Sequence, residues 1–208
     1  MVTWSSLHLV ETIHSIPVGA RLIVVDNKQL GWSLAKAWNR AVERICIEEG
    51  YDAAIILNDD AVLSPATGEA LADFLLRGQY AAGIQPEIAL LTGYNTRAGG
   101  EQGLRYKPGE PDYACFCTSH ELFATQGPFD EEFAPAYFED KDSHYRIRLA
   151  GMEAGSYAPY FHYGSDTIST DKERQAEIDR TFPVCRQRFI DKWGGEPGSE
   201  VFTEPFGS

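Results

Sequence analysis

The stretch RLIVVDNKQLGWSLAKAWNRAVERICIEEGYDAAIILNDD, residues 21–60, decides the fold. Its opening, Arg21 to Asn27, is a short β-branched run that ends in turn-forming polar residues and so predicts a buried parallel strand. Leu34, Trp38, Ala41 and Ile45 then recur at helical spacing, and Gly50 is placed to stop that helix. A second apolar run, Ala53 to Leu57, predicts another strand and breaks at Asn58-Asp59-Asp60; Ser64-Pro65 beyond it reads as a helix cap followed by a first-turn proline. Strand, helix, strand, acidic loop and helix in succession indicate an α/β fold, a parallel sheet with helices on its faces. Ligands of such sheets bind beyond the carboxyl ends of the strands, which is where Asp26-Asn27 and Asn58-Asp59-Asp60 fall.

Outward from this stretch the pattern is less regular. IALLTGY (88–94) and YACFCTS (113–119) predict strands, while Ala98 to Asp112, with four glycines and two prolines, predicts a loop long enough to cover a site. SHELFATQG predicts a short helix, and GPFDEEFAPAYFEDKDSHYRIRLAG a turn leading into a helix whose first turn carries Glu139, Asp140 and Asp142. SYAPYFHYG predicts a last strand; Thr170 to Trp193 predicts a helix that Pro183 divides in two, and GGEPGSEVFTEPFGS a loosely ordered tail. At 208 residues with 43% hydrophobic side chains, the chain is expected to form one domain, 1–208.

Charge and cysteine usage exclude several classes. A net charge of −13 argues against a nonspecific grip on nucleic acid, so such an acceptor would need a local rim, for which Arg97, Arg105 and Lys107 are available. MVTWSSLHLVETIHS has neither a basic leader nor a continuous apolar run, and no stretch approaches the roughly 20 apolar residues of a membrane span, so a cytoplasmic protein is expected. Cys46, Cys115, Cys117 and Cys185 are too few for a disulfide scaffold and lack paired zinc spacing; buried thiols are expected.

Two acidic clusters carry the candidate chemistry. Asn58-Asp59-Asp60, on a rigid strand end, suits Mg²⁺ or Mn²⁺, which takes one or two protein carboxylates and fills its other positions with water and phosphate oxygens; equally, Asn and Asp there form an ordinary turn. Glu139 and Asp140 offer a general base for a sugar hydroxyl, or simply complement a helix amino end. His162 reads either as a metal ligand or as a satisfied histidine at a strand edge.

Together these pieces resemble the family-two glycosyltransferases of the GT-A fold, including their rhamnosyltransferase-like branch. VVDN (24–27) is similar to the family's nucleotide-binding strand end, LGWSLAKAWNRAV to its N-x-G-[FW]-[SA]-x-A-x-N-x-G segment, and ILNDD followed by SP to its DxD-type metal site. GPFDEEFAPAYFEDKDSHYRIRLAG resembles the G-x-FDE-x-F…YFED-x-D…R…G segment, and FHYGSDT with RFIDKWG the closing motif and tail, so the likeness runs from about Leu22 to Trp193 in the family's order.

The resemblance implies a Rossmann-like, mostly parallel GT-A sheet flanked by helices, and inverting, divalent-metal-dependent transfer of a sugar from a nucleoside diphosphate to an acceptor hydroxyl. It implies Asp140 as catalytic base with Glu139 beside it, Asp60 and His162 toward Mn²⁺ or Mg²⁺, and Asp26, Asn27, Trp32, Asn39, Asn58 and Asp59 toward the donor. The implied donor is a UDP- or dTDP-linked sugar, and the implied acceptor a glycan or glycan precursor ahead of a modified DNA base. The chain departs from the family in its shortened first strand, where only MVTW precedes the first helix, and in Asn58 standing in the first acidic slot. A non-catalytic nucleotide-sugar or carbohydrate-binding module is the rival reading; a nucleotidyltransferase is another, though it would bring a glycine-rich triphosphate loop that the sequence lacks.

Overall fold

The computed structural model describes the whole chain except residues 5, 66, 79–87, 97–102, 110 and 165–169. Arg97 of the expected basic rim and the SDT of FHYGSDT lie outside the described residues. In chain order the elements are β1 (Val2–Thr3), α1 (Leu9–Ser15), β2 (Val25–Asp26), α2 (Asn27–Leu30), α3 (Leu34–Val42), β3 (Ala53–Leu57), β4 (Ala61–Leu63) and α4 (Thr67–Asp73). These are followed by β5 (Ile88–Asn95), β6 (Lys107–Pro108), β7 (Cys115–Ser119), α5 (His120–Gln126), α6 (Glu139–Leu149), β8 (Glu153–His162) and α7 (Lys172–Trp193).

The fold is mixed α/β, with a sheet flanked by helices, and the expectation of a parallel sheet is corrected. The main sheet runs β3-β7-β5-β8-β4, with β6 also pairing β8. Within it β5 and β8 are parallel, whereas β3 with β7, β7 with β5 and β4 with β8 are antiparallel. The reason lies in β7, an interior strand whose direction no local pattern encodes: CFCTS is buried throughout and reads the same either way. A parallel bridge from Val2 to Asn58 places the small β1–β2 sheet alongside β3.

The strand expected over Arg21 to Asn27 contracts to Val25–Asp26, half-buried, with Val24 exposed. Among the described residues its strand neighbour is β1, which has two residues, so the ladder ends where its partner ends. The helix starting at Leu34 forms as expected and runs on as a π-helical turn over Glu43–Glu48, with Gly50 at φ 74° just beyond it. Trp38 and Ala41 face the core, where Trp38 meets Phe116 and Phe129 edge-on. α4 starts at Thr67, past Ser64-Pro65.

Two further expectations fail for a common reason. α7 is one helix through Pro183, because Pro183 lies on the exposed side while Ile178, Cys185, Phe189 and Trp193 bury the other face on both sides of it. The tail is folded back, with the Val201 and Phe202 N–H groups donating to the Trp193 carbonyl and the Tyr145 hydroxyl to the Phe202 carbonyl. Phe133, Phe138, Tyr145, Cys185, Phe189 and Trp193 form a second apolar cluster that anchors α6 to α7. All four cysteines are buried and free, as expected, and burial pushes the Cys115 thiol up to about 12. Among the described residues, no helix is long and apolar enough to cross a membrane.

Candidate active site

The carboxyl ends of β1, β3 and β8 and the amino end of antiparallel β7 meet at one sheet edge, and a cavity of about 270 Å³ opens there. Thr3 and Trp4 border it from β1, Asn58, Asp59 and Asp60 from β3, Asp112 and Tyr113 from the approach to β7, and His162 from β8. The amino end of α6 closes one side with Glu139 and Asp140, and α7 contributes Arg174 and Ile178. The two acidic clusters, some 80 residues apart in sequence, therefore face a common space.

Asp59 and Asp60 are adjacent and equally buried at 5% exposure, yet do different work. Asp59 Oδ2 accepts from Thr3 Oγ1 at 2.7 Å, Trp4 N at 2.8 Å and Ser6 N at 2.9 Å, tying the chain after β1 to the end of β3. Asp60 instead faces His162, whose Nε2 lies 3.3 Å from Asp60 Oδ1 and whose Nδ1 lies 3.5 Å from Asp112 Oδ2. Strand register enforces this, since Ala61 is directly opposite His162 and Tyr163 N donates to the Asp60 carbonyl.

Burial alone would lower the His162 imidazole, but hydrogen bonding and charge from Asp112 and Asp60 outweigh it and push its pKa up to about 9. The ring is a cation at neutral pH, with both nitrogens directed at carboxylates. Burial likewise tends to raise Asp112, and His162 together with the Ala114 N–H more than offsets it, holding the carboxyl below its usual range. Two residues before His162, the Tyr160 ring crosses β5 at Gly93, where a Cβ would come within 2.4 Å of it, so only glycine fits there.

Across the cavity the balance reverses. Glu139 is 3% exposed, its Oε2 has no hydrogen-bonding partner, and burial with the nearby Asp140 charge raises its pKa well above the usual carboxylate range. Asp140 accepts from the Lys141 N–H at 2.8 Å and is raised as well, chiefly by burial and further by Asp112. Tyr137 and Phe138, immediately before them, both have positive φ, 77° and 74°. Non-glycine residues there carry backbone strain, of a kind that concentrates at functional sites.

The other residues that the resemblance pointed to are placed as follows. Asn27 borders the cavity, but its side-chain amide exchanges two hydrogen bonds with the Trp32 backbone. Asp26 caps α2 by accepting from Gln29 N, and neither it nor Trp32 borders the cavity. Asn39 is engaged elsewhere: its amide bonds the Phe129 carbonyl and N–H and the Glu131 carboxylate.

Sequence reading missed Asp112 and Arg174. By pattern Asp112 is the last residue of a loop, and the antiparallel direction of β7 brings it to the carboxyl ends of β3 and β8. Arg174, with its guanidinium 4.2 Å over the Trp4 ring, left no signal beyond helical spacing. His162 and Arg174 are the cations among the residues that border the cavity. Among the described residues, no three His, Cys, Asp or Glu side chains are grouped as metal ligands.

No family model and no curated protein matches the chain. Among solved structures it is similar to A197 from STIV, at 12% identity, over 79% of this chain and 84% of that one, with a TM-score of 0.46. A likeness of that size carries no argument about function.

Proposed function

We propose that the protein is an inverting glycosyltransferase of the GT-A type, moving a sugar from a nucleoside diphosphate, UDP- or dTDP-linked, to a hydroxyl of a glycan or glycan precursor. One observation carries the reading: a base-like carboxylate, Asp140, and a carboxylate–imidazolium pair, Asp60 with His162, border one cavity at the ligand-binding edge of an α/β sheet.

Asp140 takes the proton from the acceptor hydroxyl as its oxygen attacks the anomeric carbon, and the bond to the diphosphate breaks with its electron pair leaving on the phosphate. A carboxyl whose pKa is raised by burial is a stronger base for that proton. His162, cationic and held by Asp112, suits the developing diphosphate charge better than it suits a metal, and Arg174 adds a second cation.

The donor set at Asp60 and Asp112 fits Mn²⁺ or Mg²⁺, because such ions take one or two carboxylates and complete their shell with water and phosphate oxygens, so a three-residue cage is not required. Asp60 would hold the ion, which when bound neutralises charge on the departing diphosphate.

Calorimetric titration of nucleoside diphosphates and nucleotide sugars, with and without Mn²⁺, tests the reading on the wild type and Asp60→Ala. Metal-dependent binding lost in the variant is the expected result. No binding of any nucleotide would overturn it in favour of a carbohydrate-binding module.

A further inference from the structure

A second cavity, of about 480 Å³, lies toward the amino ends of β1 and β3, and among the described residues none borders both it and the candidate site. Its position follows from strand pairing. β1 runs between two neighbours, since Val2 pairs in parallel with Val25 on one side and with Asn58 on the other. Met1 keeps to that track: its amino group donates to the Ile23 carbonyl at 2.7 Å, and its carbonyl accepts from the Val25 N–H at 2.9 Å. Carried back in the same register, the track passes between residues 20–23 and 53–56, a length of about four residues of extended chain. The cavity is bordered by those same segments, residues 19–23 on one side and 53–55 on the other.

Its walls suit a strand. Asn58 N donates to the Ala114 carbonyl, so in the antiparallel alternation Ile56 and Ala54 also turn their backbone groups to β7, while Ile55 and Ala53 turn theirs to the cavity. Along that edge β3 has no strand partner among the described residues. Edge strands are commonly blunted by a charge, a proline or a bulge; AAIIL has no charge and no proline, and its register with β7 is unbroken, so it has the make-up of an interior strand.

The lining narrows the occupant. Ile16, Val18, Leu22, Ile45 and Leu63 make it mainly aliphatic, and its charged residues are Glu69 and Arg21, the latter bonded twice to Glu49. Small residues on α4, Gly68 and Ala72, leave space over Ile55: a Cβ on Gly68 would meet only Ile55 Cδ1, at 3.5 Å. An alkyl chain would cover the aliphatic surface and leave the β3 backbone unpaired, whereas a peptide strand satisfies both.

We propose that this cavity is a docking slot for an extended, apolar peptide strand of another polypeptide, about four residues long, lying in line with β1 and pairing with the open edge of β3. The slot is independent of the sugar-transfer reading, with which it shares no residue.

The test titrates the full chain with the blocked peptide acetyl-KVIVV-amide, read by fluorescence polarisation and by amide hydrogen exchange. Saturation is expected to slow exchange of the Ile55 amide about tenfold, while that of Ile56, already turned to β7, changes little. The same peptide N-methylated at alternate residues keeps its apolar side chains and should bind about fivefold more weakly or worse, the effect of one lost hydrogen bond. Gly68→Leu fills the slot from α4, with Ala72→Leu as a second variant should the first fail to fold; each folded variant should weaken the parent peptide about tenfold or more. The proposal is overturned if the peptide does not bind, if Ile55 gains no protection when it does, or if the folded variants bind it like the wild type. It is equally overturned if the N-methylated peptide or decanoate binds as well as the parent, which would make the cavity a site for apolar chains at large.

Discussion

Glu139 and Asp142 stand three residues apart in the first turn of one helix, both buried, and their surroundings could hardly differ more. Asp142, at 0% exposure, receives Arg146 Nε at 2.9 Å, Lys192 Nζ at 2.7 Å and Trp193 Nε1 at 2.9 Å. Glu139 borders the cavity, with one buried oxygen unpartnered and a second carboxylate beside it. A buried carboxylate with two cations and an indole donor is a structural bolt, here fastening α6 to α7. A buried carboxylate left without a cation costs stability, roughly 1–3 kcal/mol for the unmet hydrogen bond alone, and such a cost points to an occupant or a reaction. The same residue class at the same helix end thus separates into scaffold and site by what lies across from it.

The comparison breaks first at Asp142. Asp142→Ala removes one partner of a buried, doubly cationic cluster and is expected to cost about 3–5 kcal/mol, read as a lower urea midpoint. A loss under about 1 kcal/mol would mean that the cluster is not the bolt described. Asp140→Asn should leave that midpoint in place while turnover with a nucleotide sugar falls about 10²- to 10⁴-fold, the usual contribution of a general base. Equal losses of donor binding and turnover would remove Asp140 from that role.

The His162 cluster sharpens the contrast through pH. Its folded pKa, about 9, lies above an unfolded value of about 6.5, so the stabilisation is fully present below pH 6.5 and is lost as pH rises through 9. In chelator, the apoprotein should lose about 3 kcal/mol across that window, and His162→Gln should flatten this part of the profile. A wild-type profile as flat as the variant's would show that the imidazole is not held by both carboxylates.

The smallest effect belongs to Glu139→Gln. A carboxyl whose folded pKa is raised loses stability as pH climbs from its unfolded value toward its folded one, and glutamine mimics the neutral form. At neutral pH the variant should match the wild type or gain up to about 1 kcal/mol in thermal or urea unfolding. A loss of more than about 2 kcal/mol would place Glu139 with Asp142 among the structural acids.

Local pattern sufficed for the strand Ala53–Leu57, the helix starting at Leu34, the buried thiols of β7 and the acid-rich first turn of α6, because each rests on a hydrophobic period or an end effect contained within a few residues. It also brought Asp60, Asp140 and His162 forward as candidates, and the three border one cavity. What the chain could not disclose locally was direction and partnership. The antiparallel course of β7 carries Asp112 to the site, Phe129 engages the Asn39 amide from 90 residues away, and packing on both sides of Pro183 keeps α7 whole. Which first-turn acid is scaffold and which faces the cavity was decided by Lys192 and Trp193, about 50 residues on. Periodicity is written in neighbouring side chains, whereas the energy of a buried charge depends on groups that only the folded chain brings within reach.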